Sequence, residues 1–143
     1  VNTPQKGELA ELGFIYEIKQ RKLGLVLLPF SMSSPYDVAI DNGDRIIRVQ
    51  VKSAHVTTTR PSNGRQYYMI SCGCRGGECR NKQHYKKGDF DVLAATVMPL
   101  HAWYLIEADV AILRTSLNLY PDCEDMKDTA LWEQYRDNWS IFN

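Results

Sequence analysis

The chain has 143 residues, which suits one domain, because two halves of this length would be too small to bury separate cores. With 44% hydrophobic and 24% charged residues it is too apolar for a disordered chain and lacks the composition of a collagen. No apolar run approaches the ~18–20 residues of a membrane span, and Val1-Asn2-Thr3-Pro4-Gln5-Lys6 lacks the apolar core of a secretory signal. The expectation is a soluble cytoplasmic protein, one domain over 1–143, with its core over about 3–113 and a helix or tail over 114–143.

The formal net charge of zero hides a segregation. Residues 44–89 carry ten Lys/Arg against three Asp/Glu, whereas residues 107–143 carry three against eight. A basic face opposed to an acidic one is expected. Nothing marks the chain as secreted, so Cys72, Cys74, Cys79 and Cys123 are read as free thiols. Cys72, Cys74, Cys79 and His84 could be taken for zinc ligands, but the second closely spaced cysteine pair of a structural zinc site is missing.

In chain order, residues 3–22 read as a helix with Thr3 as N-cap, Pro4 at the first helical position and Gly24 just beyond its end. Leu9, Leu12, Gly13, Tyr16 and Leu23 form its expected buried stripe. Leu25-Val26-Leu27-Leu28, ended by Pro29, reads as a short strand, followed by a polar loop over 31–35. Asn42-Gly43 lies between two β-rich runs, which is the strongest short-range hairpin signal. A two-residue Asn42-Gly43 turn would set Ala39 opposite Ile46 and Asp37 opposite Arg48, with Gln50 diagonal to Asp37. Alternation then places Ile47, Val49 and Val51 on one face and Arg48, Gln50 and Lys52 on the other. Gln66–Ser71, Phe90–Met98 and Trp103–Ile106 read as further strands, and 126–139 as a C-terminal helix or a helix with an extended tail. One helix, five or six strands and a closing helix indicate a mixed α/β sandwich.

The residues converging on one strip of that sheet carry chemistry. Asp37 is a hard oxygen donor of the kind Mg²⁺ requires, and the Gln50 amide oxygen is a weaker, neutral ligand. The Lys52 ammonium could orient a water or neutralise charge building on a phosphate. Glu11 falls between Ile15 and Ile18 by helical angle, an acid in an apolar setting that needs a partner such as a cation. Metal, lysine and a basic surface together point to phosphodiester hydrolysis.

The arrangement resembles the PD-(D/E)XK nuclease superfamily. Lys6-Gly7-Glu8-Leu9-Ala10-Glu11 is similar to the K-G-x-x-x-E helix of resolvase-like members. Ser34-Pro35-Tyr36-Asp37 supplies the aspartate, and Gln50-Val51-Lys52 stands at the (Asp/Glu)-x-Lys position. With Ser53-Ala54 and the later Tyr85-Lys86-Lys87-Gly88-Asp89-Phe90-Asp91, the chain is most similar to the subfamily that includes bacterial homing endonucleases encoded in group I introns. The resemblance covers roughly residues 6–113. It implies an α/β core with a central mixed sheet flanked by helices, and an endonuclease using Mg²⁺ or Mn²⁺ on double-stranded DNA. Glu11, Asp37, Gln50 and Lys52 would be its catalytic set, with Glu11, Asp37 and Gln50 holding the metal. It further implies site-specific double-strand cleavage in intron homing, a nucleoid-associated location, and a homo-oligomer, at least a dimer and in the homing relatives a homotetramer. Gln50 departs from the acid usual at its position, removing one negative charge from the metal site.

Two other readings compete: a nuclease directed by the shape of a DNA junction, and a non-catalytic DNA-binding module with a nuclease fold. Arg48, Arg60, Arg65, Arg75, Arg80, Lys82, Lys86 and Lys87 are candidate DNA contacts, although Arg48 could equally be a charge partner for Asp37. Glu8 suits an exposed first-turn glutamate better than a site acid. Asp91 suits the start of a strand, Trp132 and Trp139 suit packing, and His55, His84 and His101 share no spacing that would assign them catalysis.

Overall fold

The computed structural model describes residues 2–55, 57–59, 64–72, 85–122 and 130–143. Helix α1 runs from Thr3 to Arg21. Its N-cap is Asn2, one residue before the expected Thr3. The Asn2 side chain accepts from the Gln5 N–H while the Gln5 side chain accepts from the Asn2 N–H, a reciprocal capping box. The helix closes on Lys22 in the left-handed conformation, and Gly24 follows at φ 150°. A Cβ at Gly24 would lie 2.4 Å from the Asp41 carbonyl oxygen, so only glycine lets the chain press this closely against the next strand.

Five strands form the central sheet: β1 (Leu25–Leu27), β2 (Val38–Asp41), β3 (Ile46–Ala54), β6 (Val92–Val97) and β7 (Ala102–Glu107), in the order β1-β2-β3-β6-β7. The β3–β6 pair is parallel and the others antiparallel, so the sheet is mixed. A separate three-stranded sheet comprises β4 (Thr57–Thr59), β5 (Gln66–Ser71) and β8 (Ser116–Leu119), of which the sequence predicts only β5. A one-turn helix, α2 (Ala108–Ala111), leaves β7. The expected C-terminal helix is not formed over the described part of its span. There, short 3-10 turns at Glu133–Tyr135 and Trp139–Phe142 flank a bridge between Arg136 and Tyr104. The rest of that span, and all of residues 73–84, lie outside the described residues.

The sheet buries both faces. Val38, Ile40, Ile47, Val49, Val51, Val92, Ala94 and Leu105 pack with Ala10, Phe14 and Ile18 of α1 and with Trp139 and Phe142. On the other face, Leu93, Ala95, Val97, Tyr104 and Ile106 pack with Tyr68, Ile70, Leu117 and Leu119 of the second sheet. This corrects the expected helical stripe. Leu9, Leu12 and Tyr16 are exposed, and α1 instead turns its Ala10-Phe14-Ile18 side to the sheet. The helix is apolar on two sides, and the small Ala10 with the Phe14 ring suits close docking against the strands and Trp139. Among the described residues no helix is long and apolar enough to cross a membrane.

Candidate active site

The β2–β3 hairpin positions the site, with a register one step from the one expected. Asn42 is the corner residue rather than the first turn residue. Its N–H donates to the Arg45 carbonyl at 3.2 Å, and its Oδ1 accepts from the N–H groups of Asp44 and Arg45 at 3.0 and 2.9 Å. Gly43, at φ 95°, takes the first central position, where the II′ class of hairpin turns places glycine. Ala39 therefore faces Arg48 and Val38 faces Val49, so Asp37 comes beside Gln50 and not beside Arg48. The shift moves each partner by two residues, so the faces are preserved: Ile47, Val49 and Val51 point to α1, and Gln50 points away.

Strand β2 begins at Val38, but β3 continues to Ala54. Among the described residues, therefore, β3 beyond Val49 is paired on one side only, by β6. Asp37 stands at this parting. Its N–H donates to the Val49 carbonyl at 2.9 Å, and its Oδ2 accepts the Val51 N–H at 2.8 Å. A side chain thus satisfies a backbone donor that the ladder has abandoned. Gln50, only 6% exposed, donates its Nε2 to the same Asp37 oxygen. Burial pushes the Asp37 carboxyl above the ordinary carboxylate range, against the opposing pull of the Val51 N–H, the Lys52 charge and the Gln50 amide. Glu11, part-buried on α1, is pushed up as well, first by burial and then by the charges of Asp37 and Glu8, with Lys52 opposing. Glu11, Asp37 and Lys52 thus share one electrostatic neighbourhood at the open edge of β3.

The chemistry of this donor set fits a hard divalent cation. Two carboxyls raised by burial, with the Asp37 charge adding to the rise of Glu11, are stabilised in their ionised forms by a cation between them, and both offer oxygen. The fit is lean: among the described residues no three of His, Cys, Asp and Glu converge. A third protein oxygen would have to come from an amide, which Gln50 carries.

The remaining candidates fall elsewhere. Arg48 forks onto Asp91, with Nε to Oδ2 at 3.1 Å and Nη2 to Oδ1 at 2.9 Å, and reaches the Gly88 carbonyl with Nη1. The Arg48 N–H also donates to Asp91 Oδ2 and the Asp91 N–H to the Arg48 carbonyl, both at 2.8 Å, so Asp91 fastens the start of β6 to β3, in keeping with a strand-start role. Arg65, Lys86 and Lys87 are exposed, and Lys87 lies 3.3 Å from Asp109. Arg60, Arg75, Arg80 and Lys82 lie outside the described residues, as do Cys74, Cys79, Cys123 and His84. Cys72 is buried, with its Sγ against the Arg114 carbonyl at 3.1 Å. Tyr85 was quoted in the sequence only as part of a motif. In the structure its ring faces Lys52, with the ammonium nitrogen 5.7 Å from the ring centroid.

Comparison with known proteins agrees with this geometry. No curated protein matches the sequence. The fold is similar to that of a bacterial homing endonuclease, I-Ssp6803I, with a TM-score of 0.80 and 24% sequence identity over 99% of this chain and 93% of that one. The family model for PD-(D/E)XK endonucleases matches residues 1–141. With that match, and with Asp37, Gln50 and Lys52 gathered on one strand edge beside a helical glutamate, the chain belongs to the PD-(D/E)XK endonuclease family.

Proposed function

We propose that the protein is a divalent-metal-dependent endonuclease that cuts both strands of double-stranded DNA at a specific site, in the manner of an intron-homing enzyme. The observation that carries this reading is the grouping of Asp37, Gln50, Lys52 and Glu11 where β2 parts from β3. Glu11, Asp37 and the Gln50 amide oxygen would hold Mg²⁺ or Mn²⁺. Such an ion, when bound, polarises the phosphodiester and lowers the pKa of a water. The chain's own groups do the rest. The Val51 N–H and the Gln50 amide hold the Asp37 carboxylate in one orientation, and the Lys52 ammonium faces the negative charge that builds on the phosphate.

The exposed Arg65, Lys86 and Lys87 would contact phosphates, joined by Arg60, Arg75, Arg80 and Lys82 of the basic segment. Arg48, committed to Asp91, would contribute through what its fork leaves free. A monomer with one site cuts one strand, so double-strand cleavage calls for a homo-oligomer, a dimer at least and by the homing analogy a homotetramer. Apolar side chains left in solvent support assembly: Leu9, Leu12 and Tyr16 on α1, and Leu25, Leu27 and Leu28 at the edge strand.

The test is incubation with Mg²⁺ and either duplex plasmids or four-way junctions. Linearised plasmid is expected, with activity lost in Asp37→Ala, Glu11→Ala and Lys52→Ala proteins that still fold and bind DNA. Resolution of junctions alone would favour the shape-directed nuclease. Binding without cleavage of either would favour the non-catalytic module, which a neutral Gln50 permits. Neutralising Lys86 and Lys87 should flatten the slope of log K against log salt by about 0.9 for each lost phosphate contact.

A further inference from the structure

The segment 85–91 is fastened to β3 at two points. At one end, the Asp91 N–H donates to the Arg48 carbonyl, the Arg48 N–H donates to the Asp91 carboxylate, and the two side chains form an ion pair. At the other, the Tyr85 ring lies against the Lys52 ammonium. The two anchors are four residues apart on β3, about 13 Å along an extended strand. Between them the chain is held by its own turn. The Lys86 N–H donates to Asp89 Oδ2 at 2.9 Å, the Asp89 N–H returns to the Lys86 carbonyl at 3.0 Å, and Gly88 takes φ 91°. Tyr85 then meets Phe90 edge-on, with ring centroids 5.1 Å apart at 89°, and Phe90 is itself buried in the core. The ring facing Lys52 is therefore placed by a buried neighbour and a closed turn.

Lys52 needs such a neighbour. Among the described residues no carboxylate stands within ion-pair distance of its ammonium, and its four-carbon stem has many rotamers to choose from. A carboxylate partner would fix the lysine but also neutralise it. An aromatic face attracts the cation without bringing a counter-charge, so the ammonium stays available to an incoming anion.

We infer that Tyr85 is the positioning residue for Lys52, its ring holding the charged ammonium at the open edge of β3 without a direct ion pair among the described residues, ready for the phosphate. This rests on the endonuclease reading above, in which Lys52 acts on the phosphodiester.

The experiment compares Tyr85→Leu, Tyr85→Phe and Lys52→Ala proteins in DNA cleavage, and reads the Lys52 side-chain proton shifts of the metal-free proteins by NMR. Tyr85→Phe keeps the ring and should keep the wild-type kcat. Tyr85→Leu should lower kcat by about 2- to 30-fold with KM for DNA unchanged. In the wild type and in Tyr85→Phe the Lys52 ε-protons should be displaced upfield by the ring current, and in Tyr85→Leu that displacement should vanish. Undisplaced Lys52 protons in the wild type overturn the inference, as does full activity in Tyr85→Leu or an equal loss in Tyr85→Phe. Should Tyr85→Leu fail to fold, the wild-type and Tyr85→Phe shifts still decide it. Cleavage surviving in Lys52→Ala would instead overturn the role given to Lys52, and leave the ring-current result standing.

Discussion

Asp37 and Gln50 face one another where β2 parts from β3, and the amide donates its hydrogen bond to the same carboxylate oxygen that takes the Val51 N–H. A glutamate at position 50 would put a second negative charge against a carboxyl that burial already disfavours in its ionised form. The amide removes that repulsion and orients Asp37 without any cation. Gln50→Glu should therefore lower stability by about 1–2 kcal/mol in chelator, several degrees in Tm, and recover most of it on addition of Mg²⁺. Cleavage should persist. Thermal melts with chelator and with Mg²⁺ check this, and a dead but well-folded Gln50→Glu enzyme would show that the neutral amide is required.

The raised proton affinities of Glu11 and Asp37 give stability a definite pH dependence in the absence of cation. Both carboxyls hold a proton more tightly in the folded state than in the unfolded one. Between the unfolded and folded values the folded state thus binds more protons, and stability falls as pH rises through that window. A bound divalent cation needs the ionised forms, so its stabilising effect should run the opposite way and fade on acidification. Tm measured against pH with and without Mg²⁺ should give two curves that separate as pH rises. The Glu11→Gln protein should show a smaller separation.

Asp91 behaves in the reverse sense. Burial alone would raise its carboxyl, but the hydrogen bonds from the Arg48 side chain and N–H, together with the Arg48 charge, outweigh it and hold the group below the ordinary range. Its contribution is present above the unfolded value and is lost as pH falls through the folded one. Both partners are more than a third exposed, so the ion pair itself is worth about 1 kcal/mol or less. Asp91→Ala should cost somewhat more, because the Arg48 N–H loses its acceptor as well. Urea unfolding at neutral and acid pH should find that cost shrinking on acidification.

The outer face of α1 gives an assembly prediction. Leu12 and Tyr16 are 62% and 63% exposed, one turn apart, on the side of the helix away from the sheet. Their replacement by lysine should leave the fold intact, since neither side chain packs in the core, with the unfolding free energy changing by less than about 0.5 kcal/mol. If copies meet along this helix, Leu12→Lys with Tyr16→Lys should reduce the mass seen by light scattering and turn plasmid linearisation into nicking. An unchanged mass would direct attention to the edge strand β1.

The hairpin shows how far the sequence could be read. Alternation in β3 sets Val49 and Val51 against Gln50 and Lys52, and this survives any register error of two residues, so the candidate strip is legible. The turn is not, because Asn42 is fixed partly from outside it. Its Nδ2 donates to the Phe142 carbonyl at 3.0 Å, a partner 100 residues away. The face of α1 was misread for a similar reason. Both sides of the helix are apolar, and the choice between them lies in the complementarity of Phe14 with Trp103, Trp139 and Phe142, whose rings lie within 6.2 Å of it. The Arg48–Asp91 fork joins residues 43 apart through a parallel strand pair, and no local pattern announces it. Lys52, by contrast, stands out as a candidate from strand alternation and its motif, while its aromatic neighbour needs the fold.

The packing of Trp139 and Phe142 against Phe14 has a further consequence during synthesis. Chain growth delivers α1 well before the rings that close its pocket, which are complete only when residue 142 has been made. Until then the helix bearing Glu11 has an incomplete seat, its inner apolar side unfilled while Leu9, Leu12 and Tyr16 of the outer one stand exposed among the described residues. A nascent polypeptide in this condition is exposed to premature association. The same delay means that a fragment ending short of residue 142 would present Glu11 on a helix whose pocket is still open.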